Sequence, residues 1–543
     1  MGAKSATVTV SRPTTVAAGV FAPGHAGELT QYLPFELVDD VLEQTRTVQR
    51  RLRALPSRVG VYFLLALVMF PHLGYLRVWD RLTAGLVGLA VPRPSEKALR
   101  DLRRRLGPAP MRALFEVVAG PLAQPHTCGT RWRGLRTVAF DGLNSIKAPD
   151  TDRNRGWLGR IRYRLGWAGY PTLRLMTLVE TGTRGMLGAA IGQAADRDEA
   201  GLARRLLPLL APGMLVLLDR AFDAAAFLTE ITSTGAMLLV RSKSTRKPPV
   251  LAHLPDGSYL SSLDGLNVRI IEADLTMAGA DGSRIGDRYR LITTLLDHRR
   301  YPAVELVALY HERWEIEIAY LALRHTLLSG YVLRSGDRPG VEQEIWALLT
   351  CYQLVRMAMV TAVESRPGTD PDRASFTTAL EAARDQLTAA RRVLPNENGP
   401  IDLLGIIGRA VLDNLLPPRR PRYSARKVKS ATSRYLNRDE GRPQHSTTIA
   451  TIDITLYIPP IDQGPTRTSR RSHTSSRAPQ PSTRRHRVTE IMNTDPRRAW
   501  NGRELAERLK ITPRNLLTQL AEWARIGILT RTGAGLYALP EPP

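Results

Sequence analysis

Apolar and polar positions alternate with the period of an α-helix through the first quarter of the chain. Residues at intervals of about four share one helix face, and here they include Leu33, Leu37 and Val41. Ser95 precedes the apolar-periodic segment 96–106, where a serine hydroxyl can cap a helix. These signals predict a helical N-terminal domain over residues 27–130, preceded by a flexible tail at 1–26. The capped helix carries a predicted arginine-rich face, formed by Arg100, Arg103, Arg104 and Arg105.

After residue 130 the pattern changes to short apolar segments separated by Gly, Asp and Asn clusters, which is typical of strands. The first three segments predict an antiparallel meander at 137–140, 173–179 and 186–191. Helices and strands then alternate: a helix at 199–210, a strand at 214–218, a helix at 224–234 and a strand at 236–240. Three acids, Asp196, Asp198 and Glu199, begin the first of these helices, where negative charge suits the helix dipole. The pattern predicts an α/β fold class over residues 131–240.

The second half of the chain divides by composition into further segments. Residues 241–301 return to short strands and turns, which predicts a β-rich insertion. The segment 302–365 begins with a long predicted helix at 302–328, and 366–463 is predicted to be a helical and basic region. Residues 464–487 contain seven Arg and no acidic residue, which predicts a basic linker.

The last segment, 488–543, predicts two helices followed by a β-hairpin. The helices are predicted at 501–510 and 513–526, and the strands at 527–530 and 535–539. This order is typical of a winged helix, in which the second helix enters the major groove of DNA. Helix-turn-helix folds also occur as protein–protein modules, so this alternative remains open at the sequence level.

The positive net charge of the chain favours a negatively charged polymer as its partner. Lys and Arg number 76 against 51 Asp and Glu, for a formal net charge of +25 and a pI of about 10.6. Most of the cations are Arg, whose planar group binds phosphate at two points, so nucleic acid is a better candidate than a membrane surface. The longest apolar run, 59–70, is shorter than the roughly 18 to 20 residues that a bilayer span needs. Cys128 and Cys351 do not have metal-ligand spacing, and a reduced, cytoplasmic compartment fits best.

Two acids follow predicted strands directly. Asp141 comes after the strand at 137–140, and Asp219 comes after the strand at 214–218. A carboxylate at the end of a buried apolar strand needs compensation, and a bound cation is one common form of it. Alternatively, Asp219 could cap the helix that follows.

A third acid lies on the predicted long helix. With Tyr310 at zero and 100° per residue, Arg313 lies at about 300°, Glu317 at about 340° and Arg324 at about 320°. An aromatic hydroxyl, an acid and two Arg on one stripe form a candidate site for metal ions and phosphates. The alternative is an exposed helix held by salt bridges, in which acids and bases are scattered around the polar arc.

These residues resemble the motifs of the IS4-type insertion-sequence transposases, members of the DDE group with an RNase H-like catalytic core. The resemblance covers roughly residues 27–440. The block Tyr310-x2-Arg313-x3-Glu317-x6-Arg324 looks like the Tyr, Arg, Glu, Lys signature of the family. Asp141-Gly142 and Asp219-Arg-Ala-Phe222 look like its two Asp motifs. One difference is that Arg324 stands where the family usually has Lys.

The resemblance implies a DDE transposase that moves its own insertion sequence by metal-dependent cut-and-paste transposition. In this interpretation Asp141, Asp219 and Glu317 are the catalytic acids and bind two Mg²⁺ or Mn²⁺ ions, and Tyr310, Arg313 and Arg324 bind DNA. The RNase H-like core is interrupted by the β-rich insertion and flanked by an N-terminal helical DNA-binding domain and a C-terminal winged-helix-like domain. The partners are double-stranded DNA of the transposon ends and target, bound by a homodimer, with no membrane. The resemblance also implies a bacterial cytoplasm, in association with the nucleoid.

Two other functions remain open at the sequence level. An inactivated or domesticated transposase would bind DNA without catalysis, and its binding would survive chelation of metal. A nuclease of the same fold would act on RNA or branched DNA, and substrate competition would distinguish it.

Overall fold

The computed structural model forms two units, residues Met1–Pro460 and Ile461–Pro543. The described residues are 21–51, 53–163, 166–193, 196, 198–243, 246–279, 282, 284–311, 313, 319–390, 404–418, 422–423, 427–429, 435–437, 447–457, 484–496, 498–509, 511, 513–525 and 529–539. Most of the predicted tail at 1–26 and of the predicted linker at 464–487 lies outside the described residues.

Five helices build the N-terminal part of the first unit. They are α1 (Phe35–Gln44), α2 (Ser57–Met69), α3 (Tyr75–Thr83), α4 (Glu96–Leu106) and α5 (Ala109–Val118). Ser95 caps α4 by accepting from the backbone N–H of Ala98 at 3.2 Å, as predicted. Helix α2 is apolar and buried on all sides, so the other helices of this region pack around it.

The predicted arginine-rich face of α4 is wrong at one position. Arg103 is buried, and its guanidinium binds Glu344 at 2.9 Å and Ser335 at 3.0 Å. Arg103 therefore connects the N-terminal helices to a later part of the chain. Arg100, Arg104 and Arg105 are exposed on the same helix.

A large mixed sheet forms the centre of the first unit. Its main path runs β13-β16-β11-β12-β8-β7-β2-β5-β6, with β2, β7 and β8 parallel and the other pairs on this path antiparallel. The strands are β1 (Arg131–Trp132), β2 (Leu135–Lys147), β3 (Arg162–Tyr163), β4 (Gly166–Trp167), β5 (Thr172–Glu180), β6 (Met186–Gly192), β7 (Met214–Leu218), β8 (Met237–Arg241), β9 (Ala252–His253), β10 (Tyr259–Leu263), β11 (Leu266–Gly279), β12 (Arg284–Thr293), β13 (Arg422–Tyr423), β14 (Lys427–Lys429), β15 (Tyr435–Asn437) and β16 (Thr447–Leu456).

The meander and the α/β alternation are confirmed, with two corrections. Strand β2 does not end before Asp141, because its pairing with β5 continues to Lys147 through an irregularity between Leu143 and Ile146. The helix predicted at 199–210 ends early, and Pro208 lies in a separate 3₁₀ turn. The helices are α6 (Asp152–Leu158), α7 (Glu199–Arg204) and α8 (Ala225–Ser233).

The strands of the predicted insertion extend the main sheet. Strand β12 pairs with β8, and β11 forms a long hairpin with β12. Strand β16 adds to the other side of β11, within the region 366–463 that was predicted to be helical and basic. No strand was predicted at residues 447–456, where Ile452, Ile454 and Leu456 alternate with Thr451, Asp453 and Thr455.

The remaining helices of the first unit are α9 (Ala303–His311), α10 (Arg338–Glu364), α11 (Phe376–Ala389) and α12 (Gly405–Asp413). The long helix predicted at 302–328 is not regular, because its last turns form a π-helix over Ala322–Leu327. Helix α10 was not predicted. By length and composition it could cross a membrane, but 89% of its most apolar window is buried in the protein, as in a core helix.

Side-chain alternation divides the core into two layers on opposite faces of the sheet. Ala139 and Leu217 belong to the layer that includes α9, α10 and α11. Phe140 and Leu218 belong to the layer that includes α7 and α8. Because alternate residues of a strand face opposite sides, the position of any residue in β2 or β7 identifies its layer.

The second unit has the order helix, strand, two helices and a hairpin. Its elements are α13 (Arg484–Asn493), β17 (Trp500–Asn501), α14 (Gly502–Arg508), α15 (Pro513–Arg525), β18 (Thr530–Gly533) and β19 (Leu536–Ala538). The three strands form one sheet in the order β17-β19-β18. The two predicted helices are observed as α14 and α15, and the hairpin is observed with its first strand at Thr530–Gly533 rather than at 527–530. Helix α13 and strand β17 were not predicted, and α13 begins inside the predicted linker.

Candidate active site

The two predicted aspartates lie at the same level of neighbouring parallel strands. The register pairs Arg136 with Met214 and Ala139 with Leu217. Continuing it by two residues places Asp141 level with Asp219. Asp141 also shares a face of the sheet with Ala139, and Asp219 shares it with Leu217, so both acids occupy the layer of α9. Both residues are half-buried.

A tight turn holds Asp219. Its carboxylate accepts from the backbone N–H of Ala221 at 2.7 Å and caps the 3₁₀ turn Arg220–Phe222. Phe222, at the end of this turn, is buried on the opposite face of the sheet and packs against Phe140 and Phe227. The residues of the motif Asp219-Arg-Ala-Phe222 therefore form a capped turn that is anchored by its last residue. Asp219 is a capping residue, and its carboxylate lies at a strand end.

Asp141 has a different setting, inside a strand. The backbone N–H of Gly142 donates to its carboxylate at 2.9 Å. A Cβ at Gly142 would lie 2.9 Å from Oε1 of Glu199, closer than real Cβ atoms approach. A side chain at position 142 would meet the end of the Glu199 side chain, which would then have to move.

Glu199 is a further acid near this site. From the sequence it was predicted only to begin a helix. Burial raises its pKa, the negative charge of Asp219 raises it further, and a hydrogen bond with Asn144 opposes the shift. Asp198, next to it, does cap α7 by accepting from Gly201 at 2.7 Å. No signal in the sequence would have identified Glu199, because its proximity to Asp219 depends on how α7 packs on the sheet.

Tyr310, at the end of α9, is anchored beside Asp219. Its buried hydroxyl donates to the carbonyl oxygen of Leu218 at 2.9 Å, one residue before the acid. Burial raises the pKa of Tyr310, and the Arg313 guanidinium, 6.0 Å from the ring centre, opposes the shift. Arg313 therefore lies beside Tyr310, whose hydroxyl is bonded one residue before Asp219.

Tyr320, which was not predicted as a site residue, makes the equivalent contact at the other acid. Its hydroxyl donates to the carbonyl oxygen of Asp141 and is 2.7 Å from Oγ1 of Thr177, the residue that pairs with Asp141 across the sheet. Burial raises its pKa well above the ordinary value for tyrosine, and the charge of Asp141 adds to the shift. A helical count from Tyr310 gives Tyr320 an angle of about 280°, which could have indicated the shared face.

The other two predicted site residues are Glu317 and Arg324. Glu317 lies outside the described residues, as does most of the segment between His311 and Ala319. Arg324 is half-buried in the π-helix, where the turns are wider than in an α-helix, so its calculated angle of about 320° does not apply. Burial and the charge of Arg324 lower the pKa of the neighbouring His325.

The donor chemistry of this strand end fits a hard divalent cation. Mg²⁺ prefers oxygen ligands and retains several waters, so one or two carboxylates from the protein are often enough. Asp141 and Asp219 supply such carboxylates at one level of the sheet. Among the described residues, no group of three His, Cys, Asp or Glu side chains is arranged to hold a metal.

Comparisons with known proteins match both halves of the first unit. Residues 23–116 match the family described as insertion element 4 transposase N-terminal, and residues 132–354 match the family described as transposase DDE domain. Asp141 and Asp219 both fall within the second match.

Individual relatives point the same way. The transposase InsG for insertion sequence element IS4 of Escherichia coli (strain K12) is 28% identical over 425 residues, covering 75% of this chain and 92% of that protein. InsZ of the same strain is 24% identical over 214 residues, covering 39% of this chain and 70% of that protein. A solved piggyBac transposase synaptic complex with hairpin DNA covers 75% of this chain and 87% of its own, at 8% identity. Its TM-score of 0.36 is too low to carry an argument.

Proposed function

The chain belongs to the IS4-type family of DDE transposases, and we propose that it moves its own insertion sequence by cut-and-paste transposition. The proposed reactions are cleavage of DNA strands at the terminal inverted repeats and transfer of the ends to target DNA. Both are in-line displacements at phosphorus that differ only in the attacking oxygen. The proposal assigns the core to the RNase H-like class, which agrees with the sheet order β6-β5-β2-β7-β8.

One observation carries this proposal above the others. Asp141 and Asp219 lie level with one another at neighbouring parallel strands and share the face of the sheet on which α9 packs. Carboxylates in this arrangement are separated by about the distance between adjacent strands, roughly 5 Å. Two acids at this separation can bind the same cation or two adjacent cations.

We propose Glu317 as the third acid. The support comes from the residues on either side of it, since Tyr310 hydrogen-bonds beside Asp219 and Tyr320 hydrogen-bonds to Asp141. The segment that contains Glu317 is therefore fixed at both ends against the strands of the two aspartates. In the sequence, Glu317 lies between the two tyrosines in helical angle, at about 340° against 0° and 280°.

The three acids would hold two Mg²⁺ or Mn²⁺ ions, which supply activation of the attacking oxygen and stabilisation of the leaving oxygen when bound. The protein holds Asp219 in position through its capping bond and Asp141 through the Gly142 N–H. Arg313 and Arg324 are proposed to bind phosphates of the transposon end. Tyr310 was predicted to bind DNA, but its side chain is buried and its hydroxyl is bonded to Leu218, so we propose that it orients Arg313, which lies over its ring.

The proposed partners are the two transposon ends and the target DNA, bound by a homodimer that cuts paired ends together. The N-terminal helices are proposed to contribute to DNA binding, with exposed arginines on α4 available for phosphate contact. Because the substrate is chromosomal DNA, we propose a cytoplasmic location in association with the nucleoid.

Cleavage of a plasmid that carries the flanking DNA of the gene tests the proposal. Purified wild-type protein with Mg²⁺ or Mn²⁺ is expected to make double-strand breaks at the element's ends, and Asp219→Ala is expected to make none. The matched control is Asp80→Ala, which removes an exposed aspartate on α3 that pairs with its helix neighbour Arg77. Undiminished cleavage by Asp219→Ala, or cleavage that persists in EDTA, would refute the assignment.

A further inference from the structure

The C-terminal unit has a hydrophobic core of its own. Its core residues all come from α13 to β19 and include Val488, Trp500, Leu505, Leu516, Leu520 and Tyr537. The unit lies beyond residue 354, where the second family match ends. Its role is therefore a separate question from the chemistry of the first unit.

Helices α14 and α15 pack closely at Gly502. A Cβ at Gly502 would lie 2.5 Å from Leu517 Cδ2 and 3.1 Å from Leu520 Cδ1, so a larger residue would push these leucine side-chain ends aside. Asn501 caps α14 by accepting from the Arg503 N–H at 2.9 Å. The two helices therefore share the core of the unit and leave the outer face of α15 away from it.

The outer face of α15 carries polar and basic residue types. Leu516 and Leu520 are fully buried, which identifies the inner face of the helix. In the sequence, counting 100° per residue from Leu516 gives an arc opposite the core at about 140° to 260°, and its residue types are Arg514, Asn515, Thr518, Ala521, Glu522 and Arg525. Ala521 is exposed. Because this face has one small apolar residue and no large one, it lacks the aromatic and apolar residues that protein interfaces bury.

The charge of the unit favours a polyanion as its partner. Residues 484–539 contain eleven Lys and Arg and five Asp and Glu. Two of these arginines, Arg498 and Arg508, stack on Trp500 at 4.5 and 4.9 Å and both bind Glu504. Arg531 is exposed on the hairpin of β18 and β19, whose turn includes Gly535 at φ 74°.

We infer that this unit is a second duplex-DNA binding site, with α15 in the major groove and the β18–β19 hairpin against the adjacent phosphates. Two closely packed helices followed by a hairpin that carries the exposed Arg531 have the order of elements by which helix-turn-helix proteins read DNA. This binding goes beyond the proposed cleavage reaction and does not require it. The unit would hold a duplex whether or not the aspartates of the first unit bind metal.

The number of duplexes bound per chain tests the inference. Full-length protein is mixed in EDTA with excess fluorescent duplex of about 20 base pairs and mixed sequence, and bound DNA is counted by analytical ultracentrifugation. We expect two duplexes per chain for the wild type and one for Ala521→Glu, which adds a negative charge to the outer face of α15. The matched control is Ala499→Glu, the same change at an exposed position before β17, and we expect two.

A second variant guards against misfolding of the first. Arg531→Ala removes one exposed cation from the hairpin. We expect the slope of log affinity against log salt concentration to become shallower by about one, as for the loss of one phosphate contact. Circular dichroism and thermal unfolding check that each variant is folded.

The outcomes separate this inference from the proposed function. If Ala521→Glu binds as many duplexes as the wild type, or if both Glu variants lose binding equally, the inference is wrong, and a protein partner becomes the better assignment. If an Ala521→Glu chain is misfolded, an unchanged salt dependence for Arg531→Ala overturns the inference. One duplex for the wild type and none for Ala521→Glu would support it while contradicting DNA binding by the first unit.

Discussion

The two aspartates reach the same level of the sheet by different means. Asp219 is held by a turn of its own residues, with its capping bond to Ala221 and the anchor of Phe222 within three positions. Asp141 lies inside a strand and is surrounded by residues that are distant in the sequence, including Tyr320, Thr177 and Glu199. One acid is therefore positioned by local structure and the other by tertiary packing, so substitutions should affect them differently.

The largest expected effect separates charge from structure at Asp219. Asn can cap a turn as well as Asp, so Asp219→Asn should keep the fold but lose the anionic ligand. Plasmid cleavage should fall by at least about a hundredfold, since metal ligation stabilises the transition state by several kcal/mol. The midpoint of thermal unfolding should not change. Asp219→Ala should lose cleavage equally and also about 1 kcal/mol of stability from the lost cap.

The two tyrosines allow the same comparison through stability. Tyr320→Phe removes a buried hydroxyl that bonds to Asp141 and Thr177. Tyr310→Phe removes a bond to Leu218 and one to the half-buried Arg313, whose guanidinium water can reach. A buried acceptor left without a donor costs about 1 to 3 kcal/mol. Urea unfolding should therefore show a larger loss for Tyr320→Phe. Equal losses would mean that contacts between residues distant in the sequence are no more important around Asp141 than around Asp219.

A double-mutant cycle tests the packing beside Asp141. Gly142→Ala brings a Cβ against the Glu199 carboxylate and should cost about 1 kcal/mol, at the low end for overpacking because a flexible side-chain end can move. Glu199→Ala in the same chain should restore most of that stability. The control is Gly134→Ala at a turn with no atom close to its Cβ, where strain from φ 83° should not be relieved by the second substitution. Additive losses at 142 and 199 would contradict the contact.

The smallest expected effect is a pH dependence from Glu199. Its folded-state pKa is raised above the ordinary value of 4.5, so the folded protein binds this proton more tightly than the unfolded chain does. Stability from this group is therefore present at low pH and lost as pH rises from the ordinary pKa through the raised one. Glu199→Gln should lack this loss, and its thermal midpoint should gain on the wild type across that window. A constant difference at all pH values would rule out the shift.

How far the sequence predicts the fold depends on whether local signals decide it. The strand at 214–218 and the helix at 96–106 were predicted to the residue, because an apolar run before Asp219 and a serine cap at 95 are local signals. Helix α10 was missed because it is buried on nearly all sides and therefore has no polar face to give a period. Strand β16 was missed because composition, rather than its alternation, was used for that region.

The residues of the candidate site also divide into those that local signals predict and those whose place depends on tertiary packing. Asp141 and Asp219 were predicted from the apolar segments that precede them, and the parallel pairing of β2 with β7 places them level with one another. A helical count from Tyr310 could have indicated Tyr320, whereas Glu199 could not be predicted, since its place depends on how α7 packs on the sheet. The role of Glu317 stays a prediction, as do the roles of Arg313 and Arg324 toward DNA.

The pairing of β16 with β11 has a consequence for how the chain matures during synthesis. Strand β11 is made long before Thr447–Leu456 emerges from the ribosome, yet its pairing places Ala273 opposite Leu456. Until then the nascent protein exposes a long strand edge, the kind of surface that attaches to other chains. Truncation before residue 447 should therefore yield aggregates rather than a smaller soluble protein. Slow elongation over this stretch would lengthen the period in which chaperones must cover the edge.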